Sequence, residues 1–114
     1  MIEVLLFIKD FELGSRISER CIDEQRNVEF SDENSDPEEF PDTIKLAIVD
    51  FDENVFSSVG LVSELKRRDL KVIGIMKNIS NDDQLKLRSA GCDIILTKSS
   101  IVKNLSNLFS ELLD

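Results

Sequence analysis

Histidine, tryptophan and tyrosine are absent from this chain of 114 residues. Without histidine, the commonest general base near neutral pH is missing, and most zinc-ligand sets go with it. Cysteine occurs twice, at Cys21 and Cys92, far apart in the sequence. Both sit in helix-like or strand-edge contexts, so buried free thiols are expected rather than a disulfide, as suits a reducing compartment. No apolar run nears the roughly 20 residues a helix needs to cross a bilayer. Met1-Ile2-Glu3 leads straight into an apolar run with no basic, cleavable start, and a cytoplasmic location is expected. Basic residues are outnumbered, 14 Lys and Arg against 23 Asp and Glu, for a net charge of −9. That charge repels nucleic-acid phosphates and anionic membrane surfaces and attracts basic protein surfaces.

What is present is a core. Apolar residues make up 41 % of the chain, ordinary for one globular domain over residues 1–114. Val4-Leu5-Leu6-Phe7-Ile8 reads as a strand covered on both faces. Leu13, Ile17 and Cys21 then recur at helical spacing, with Arg16, Glu19 and Arg20 on the other face. Residues 27–30 suit a short edge strand. Residues 31–42, SDENSDPEEFPD, hold six acids, two prolines and no basic residue. They read as a solvated loop with one helical turn after Pro37, or as a docking segment for a basic partner.

Leu46 to Val49 is the next buried strand, and 55–68 a helix with Leu61, Val62 and Leu65 inward. Val72 to Met76 is a fourth strand. Ser80-Asn81-Asp82-Asp83 offers capping oxygens to a helix running to Ala90, which Gly91 stops. Ile94 to Leu96 is a fifth strand. Ser99 or Ser100 is expected to cap a last helix striped by Ile101, Leu105, Leu108 and Leu112. Strands alternating with helices through short connections predict an α/β, doubly wound, five-stranded parallel sheet of order 2-1-3-4-5. In such sheets, ligands sit outside the carboxyl ends of the strands. Asp10, Asp50 and Lys98 all follow strands, so a carboxylate and an ammonium 48 positions apart can meet there.

That constellation resembles the receiver domain of response regulators, a flavodoxin-like fold, over essentially the whole chain. SAGCDIILTK (89–98) is similar to the family's A-G-A-x-x-Y-L-x-K segment, and LAIVDFD (46–52) to its strand ending in the phosphoacceptor aspartate. The resemblance implies that Asp50 stands at the phosphoacceptor position and Lys98 at the lysine that contacts the phosphoryl group. A lysine ammonium there stabilises the negative charge of an acyl phosphate. The same resemblance exposes departures. The adjacent acids that hold magnesium in the family fall on Ile8 and Lys9, with Asp10 the only acid nearby. The hydroxyl residue after the fourth strand is Met76, the aromatic switch in the fifth strand is Ile95, and the proline after the lysine is Ser99. The implied magnesium ligands reduce to Asp10, Asp50 and the carbonyl of Asp52, a depleted set for an ion that wants oxygen in octahedral array.

Three functions are open at this point. The first is an atypical receiver, or pseudo-receiver: a non-enzymatic signalling module that binds a protein partner without efficient phosphorylation and without a cofactor. The second is a working phosphoacceptor of a two-component system that uses Asp50 with magnesium and a histidine kinase or effector as partner. The third is a flavin- or cobalamin-binding domain of the same fold, disfavoured by the acidic, bulky Lys9-Asp10-Phe11-Glu12 and by the lack of histidine. The broad apolar stripe of the last helix belongs to the core or to a homodimer face.

Overall fold

A computed structural model describes residues 1–57 and 59–114. Strand β1 (Val4–Phe7) leads to helix α1 (Phe11–Asp23), edge strand β2 (Val28–Phe30) and β3 (Leu46–Asp50). Then come α2 (Val59–Arg67), β4 (Lys71–Met76), α3 (Asn81–Ala90), β5 (Ile94–Thr97) and α4 (Ile101–Leu112). The strands form one sheet of order β2-β1-β3-β4-β5, and every neighbouring pair is parallel. This is the expected topology.

The period of two along each strand sorts side chains to two cores. Leu5, Phe7, Ala47, Val49 and Val72 join Val62 and Leu65 of α2 and Leu87 of α3. Val4, Leu6, Leu46, Ile48, Ile73 and Ile75 join Ile17 and Cys21 of α1 and Ile101, Leu105, Leu108 and Phe109 of α4. Both faces are covered, which is why these strands read as continuous apolar runs rather than alternating ones. The apolar stripe of α4 is therefore core at these four positions.

Three details differ from expectation or add to it. The helix expected over 55–68 starts at Val59, after a short 3₁₀ turn at Asn54–Phe56 that buries Phe56; Ser58 lies outside the described residues. Between β2 and β3 the chain forms the expected loop with one helical turn, the 3₁₀ turn Pro37–Glu39, where the Asp36 carboxylate accepts the Glu38 N–H at 2.9 Å. Ser100 takes the position before α4, but its backbone is already helical and its side chain makes no capping bond. Its hydroxyl instead donates to the Thr97 carbonyl at 3.1 Å. Asp10, read as a strand-end acid, is the N-cap of α1: its Oδ1 accepts the Leu13 N–H at 2.9 Å. The other caps follow expectation. Ser80 and Asp83 make a reciprocal capping box on α3, and Gly91 ends that helix at φ 110°, a left-handed conformation glycine adopts without strain.

Candidate functional site

Register sets the site. Asp50 is the last residue of β3 and pairs with Ile75, while Met76 at the end of β4 pairs with Thr97 at the end of β5. Lys98 continues the ladder, its N–H donating to the Met76 carbonyl at 2.9 Å. Three consecutive strand ends thus bring Asp50, the β3–α2 loop, the residue after β4 and Lys98 to one point at the carboxyl edge.

Asp50 is the only buried charged residue among the described residues, at 0 % exposure. A buried carboxylate must be paired or its cost is large. Its Oδ1 accepts the Lys98 ammonium at 2.9 Å and the Asp52 N–H at 3.0 Å. Its Oδ2 is also buried and has no partner among the described residues. The expected Asp50–Lys98 contact is therefore direct.

The lysine has a second partner. Asp52 Oδ2 accepts Lys98 Nζ at 2.9 Å and the Lys77 backbone N–H at 2.8 Å. One ammonium, with 27 % of its side chain exposed, bridges two carboxylates. Partial burial pushes the Asp52 carboxyl up, but the hydrogen bonds from Lys98 and Lys77 N–H, and the charges of both lysines, outweigh it. Asp52 is held below the ordinary carboxylate range. Burial lowers Lys98 in turn, and its bonds to Asp52 and Asp50 outweigh that, so it is held above the ordinary lysine value. Both groups are charged around neutrality. The side chain of Asp52 was not anticipated as a member of the site, since only its carbonyl entered the ligand set. The signal was present in LAIVDFD: two acids two positions apart after a buried strand can face one cation.

The remaining site positions lie elsewhere or carry no polar function. Ile8 is buried in the α1–α4 core. Lys9 turns away to Glu33 of the acidic segment, Nζ to Oε2 at 2.8 Å, both exposed in part. Ile95 is buried, and Met76 is half-buried against the same α2–α3 core. Phe51 packs on Gly74 so closely that a Cβ there would lie 2.5 Å from the ring. That contact helps fix the start of the loop carrying Asp52. Thr97, Ser99 and Ser100 bond among their own hydroxyls, Thr97 to Ser100 at 2.9 Å. Cys21 and Cys92 are buried free thiols, and burial pushes them to about 12 and about 11, so neither is a reactive thiolate.

The donor set does not fit a resident magnesium ion. The Asp10 carboxylate is spent on its helix, position 8 offers no oxygen, and an ammonium already lies between Asp50 and Asp52. Among the described residues no group of three or more acids, cysteines or histidines is placed to hold a metal. The loop after β1 is equally ill-suited to a flavin phosphate, because Asp10 accepts the helix N–H that a phosphate would use. Among the described residues no helix is long and apolar enough to cross a membrane.

No family model matches the chain, and no curated protein matches it in sequence. Solved structures do match. A chemotaxis protein of Vibrio cholerae is 15 % identical, with 99 % of each chain covered and a TM-score of 0.83. An orphan response regulator of H. pylori is 19 % identical, with 99 % of this chain and 97 % of the other covered and a TM-score of 0.80. A response regulator of Thermotoga maritima is 16 % identical, with 96 % and 98 % covered and a TM-score of 0.74. With five parallel strands in the order 2-1-3-4-5 and a strand-end Asp–Lys pair, the chain has the fold of response-regulator receiver domains.

Proposed function

We propose that this chain is an atypical receiver, a signalling module that recognises a protein partner through its surface without taking phosphate at Asp50. The observation that carries this reading is the shared ammonium. Lys98, which would have to offset the charge of an incoming phosphodonor, is already neutralised by Asp50 and Asp52. Attack by a carboxylate on a phosphoryl group needs that charge offset by a metal or a preorganised cation. Here the metal's acids are missing, the lysine is engaged, and Met76 supplies no hydroxyl to the product. A phosphoryl group would also have no aromatic rotor at Ile95 to turn. The partner is a protein, in keeping with a net charge of −9 that disfavours nucleic acid; a basic surface suits it best.

One observation favours the alternative, a phosphoacceptor: Asp50 Oδ2 makes no hydrogen bond. That oxygen is a free nucleophile electronically, yet it is fully buried, so a donor reaches it only after the loop opens. Intact mass after treatment with acetyl phosphate and magnesium tests the choice, with Asp50→Asn as control. The expected result is no gain in the wild type. A near-complete gain of one phosphate that the control lacks overturns the proposal.

A further inference from the structure

Strand β2 stands at the edge of the sheet, with β1 on one side. The Asn27 carbonyl accepts the Glu3 and Val4 N–H groups, and the Ser31 N–H donates to the Leu6 carbonyl, so residues of that parity face β1. By the two-residue period, Val28 and Phe30 turn their N–H and C=O groups outward, open to pairing with a further strand. The two faces of this edge differ. On the α1 side the Phe30 ring lies over Gly14, where a Cβ would come within 2.8 Å of it. Ile8, Phe11, Ser15 and Phe30 line a cavity of about 280 Å³ there, and Phe11 and Phe30 are 87 % and 52 % exposed. On the opposite side, Glu29 stands in register with Leu5 and lines a second cavity, of about 220 Å³, with Asp36, Glu39 and Phe40. Glu29 and Glu39 are exposed, and neither is in an ion pair among the described residues. The cations nearest this edge in sequence are already paired, Lys9 with Glu33 and Arg26 with Glu3 and Asp114.

We propose that the β2 edge receives an extended segment of a partner protein in which apolar and basic residues alternate, added beside β2 as a further strand of the sheet. The strand period decides this chemistry. An added strand sends alternate side chains to the two faces of the sheet. One set meets Phe11 and Phe30, which apolar side chains suit. The other meets Glu29 and Glu39, which Lys or Arg suits. Main-chain bonds to Val28 and Phe30 attach any strand, and the two faces select its sequence. A second copy of this chain fits poorly. Pairing β2 with β2 would bring Glu29 and the acidic 31–42 segment of each copy together, between chains of net charge −9. Charge on an edge guards it against self-pairing, and acidic charge leaves it open to a basic strand. Because β2 has three residues, few main-chain bonds form and the attachment is reversible. This deepens the reading above: it rests on the protein partner proposed there and gives that partner a place and a pattern.

The probe is an end-blocked peptide of alternating lysine and valine, Lys-Val-Lys-Val-Lys-Val-Lys, set against the same composition in two blocks, Lys-Lys-Lys-Lys-Val-Val-Val. Amide-resolved NMR on the intact chain follows Val28 and Phe30 by shift and by hydrogen exchange. The alternating peptide should shift both amides saturably and slow their exchange, and the block peptide should bind at least about tenfold more weakly. Phe11→Ser and Glu29→Lys both alter exposed side chains, and the same spectrum verifies their folding. Each should weaken the alternating peptide about tenfold. Three results overturn the inference. Equal binding of the two peptides would mean charge attraction alone. Shifts confined to residues 31–42, with no protection at Val28 and Phe30, would place the peptide on the acidic segment. Protection of those two amides that rises with protein concentration in the absence of peptide would assign the edge to a second copy. None of these bears on phosphorylation. A covalent gain at Asp50 in the mass experiment would refute the proposed function while leaving this titration readable, and failure here without that gain would refute the added strand alone.

Discussion

The carboxyl edge of the sheet has two halves that carry similar charges and use them differently. In the β3–β5 half, Asp50, Asp52 and Lys98 turn toward one another around a fully buried carboxylate. In the β1–β2 half, Lys9 reaches outward to Glu33, Asp10 caps its own helix, and Phe11 stands 87 % exposed. Burial accounts for the difference. A charge with no water around it must be met by the chain, so its neighbours are constrained. A charge in water is satisfied wherever it points, and its partners are incidental. The same contrast marks the β3–β5 half as the candidate site, where one ammonium bridges two carboxylates at 2.9 Å each.

The comparison breaks most visibly at Lys98. Lys98→Met keeps the apolar stem but leaves Asp50 buried without its cation, and should cost about 3 kcal/mol, read as a lowered denaturation midpoint at unchanged slope. A loss below about 1 kcal/mol would mean that Asp50 finds another donor or takes up a proton. Next comes Gly74→Ala. The new Cβ would meet the Phe51 ring 2.5 Å away, and overpacking of this kind should cost about 1–3 kcal/mol. The accompanying shift of the loop should appear at the Asp52 and Lys77 amides, which a purely local strain would leave in place.

On the other half of the edge the effects shrink. Asp10→Ala removes one helix cap and should cost about 1 kcal/mol, with Asp10→Ser restoring most of it. A magnesium-ligand role would make serine no better than alanine. Lys9→Ala should leave the midpoint where it is, because its pair with Glu33 is exposed.

The fold was legible because its causes are local and repeated. Val4–Ile8, Leu46–Val49 and Val72–Met76 are apolar on both parities, which only a sheet covered on two faces explains. Ser80, Asp83 and Gly91 punctuate α3 by side-chain chemistry that works the same way in any fold. The Asp50–Lys98 pair was legible from strand-end positions. Asp52 as a side-chain partner was harder, since it depends on how one loop turns after Asp50, and loop geometry is set by tertiary contacts such as Phe51 on Gly74. The cap role of Asp10 was hard to read for a similar reason. An acid just after a strand is also an acid just before a helix, and the cap satisfied a backbone N–H that no distant site could reach. Ser100 makes no capping bond because Thr97, through its hydroxyl and its carbonyl, gives the Ser100 hydroxyl other partners.

Titration sharpens the contrast by direction rather than size. Asp52 is held below its ordinary value, so its contribution is complete above the unfolded carboxylate range near about pH 4 and is lost as pH falls through its folded value. Lys98 is held above its ordinary value, so its contribution is complete below about pH 10 and is lost as pH rises through its folded value. Asp52→Asn should flatten the acid limb of stability against pH and leave the neutral plateau lower. An unchanged acid limb would remove Asp52 from the cluster.

The most direct test of the closed cluster is a double-mutant cycle between Asp52 and Lys98, using Asp52→Asn and Lys98→Met, with Asp50 present throughout. The same cycle between Lys9 and Glu33 is the reference. The account predicts a coupling of about 1 kcal/mol between Asp52 and Lys98, within the range for residues of one hydrogen-bonded network, and none resolvable at the reference pair. Equal, negligible coupling at both pairs would show that Asp52 does not hold the lysine, and the shared-ammonium account would fall.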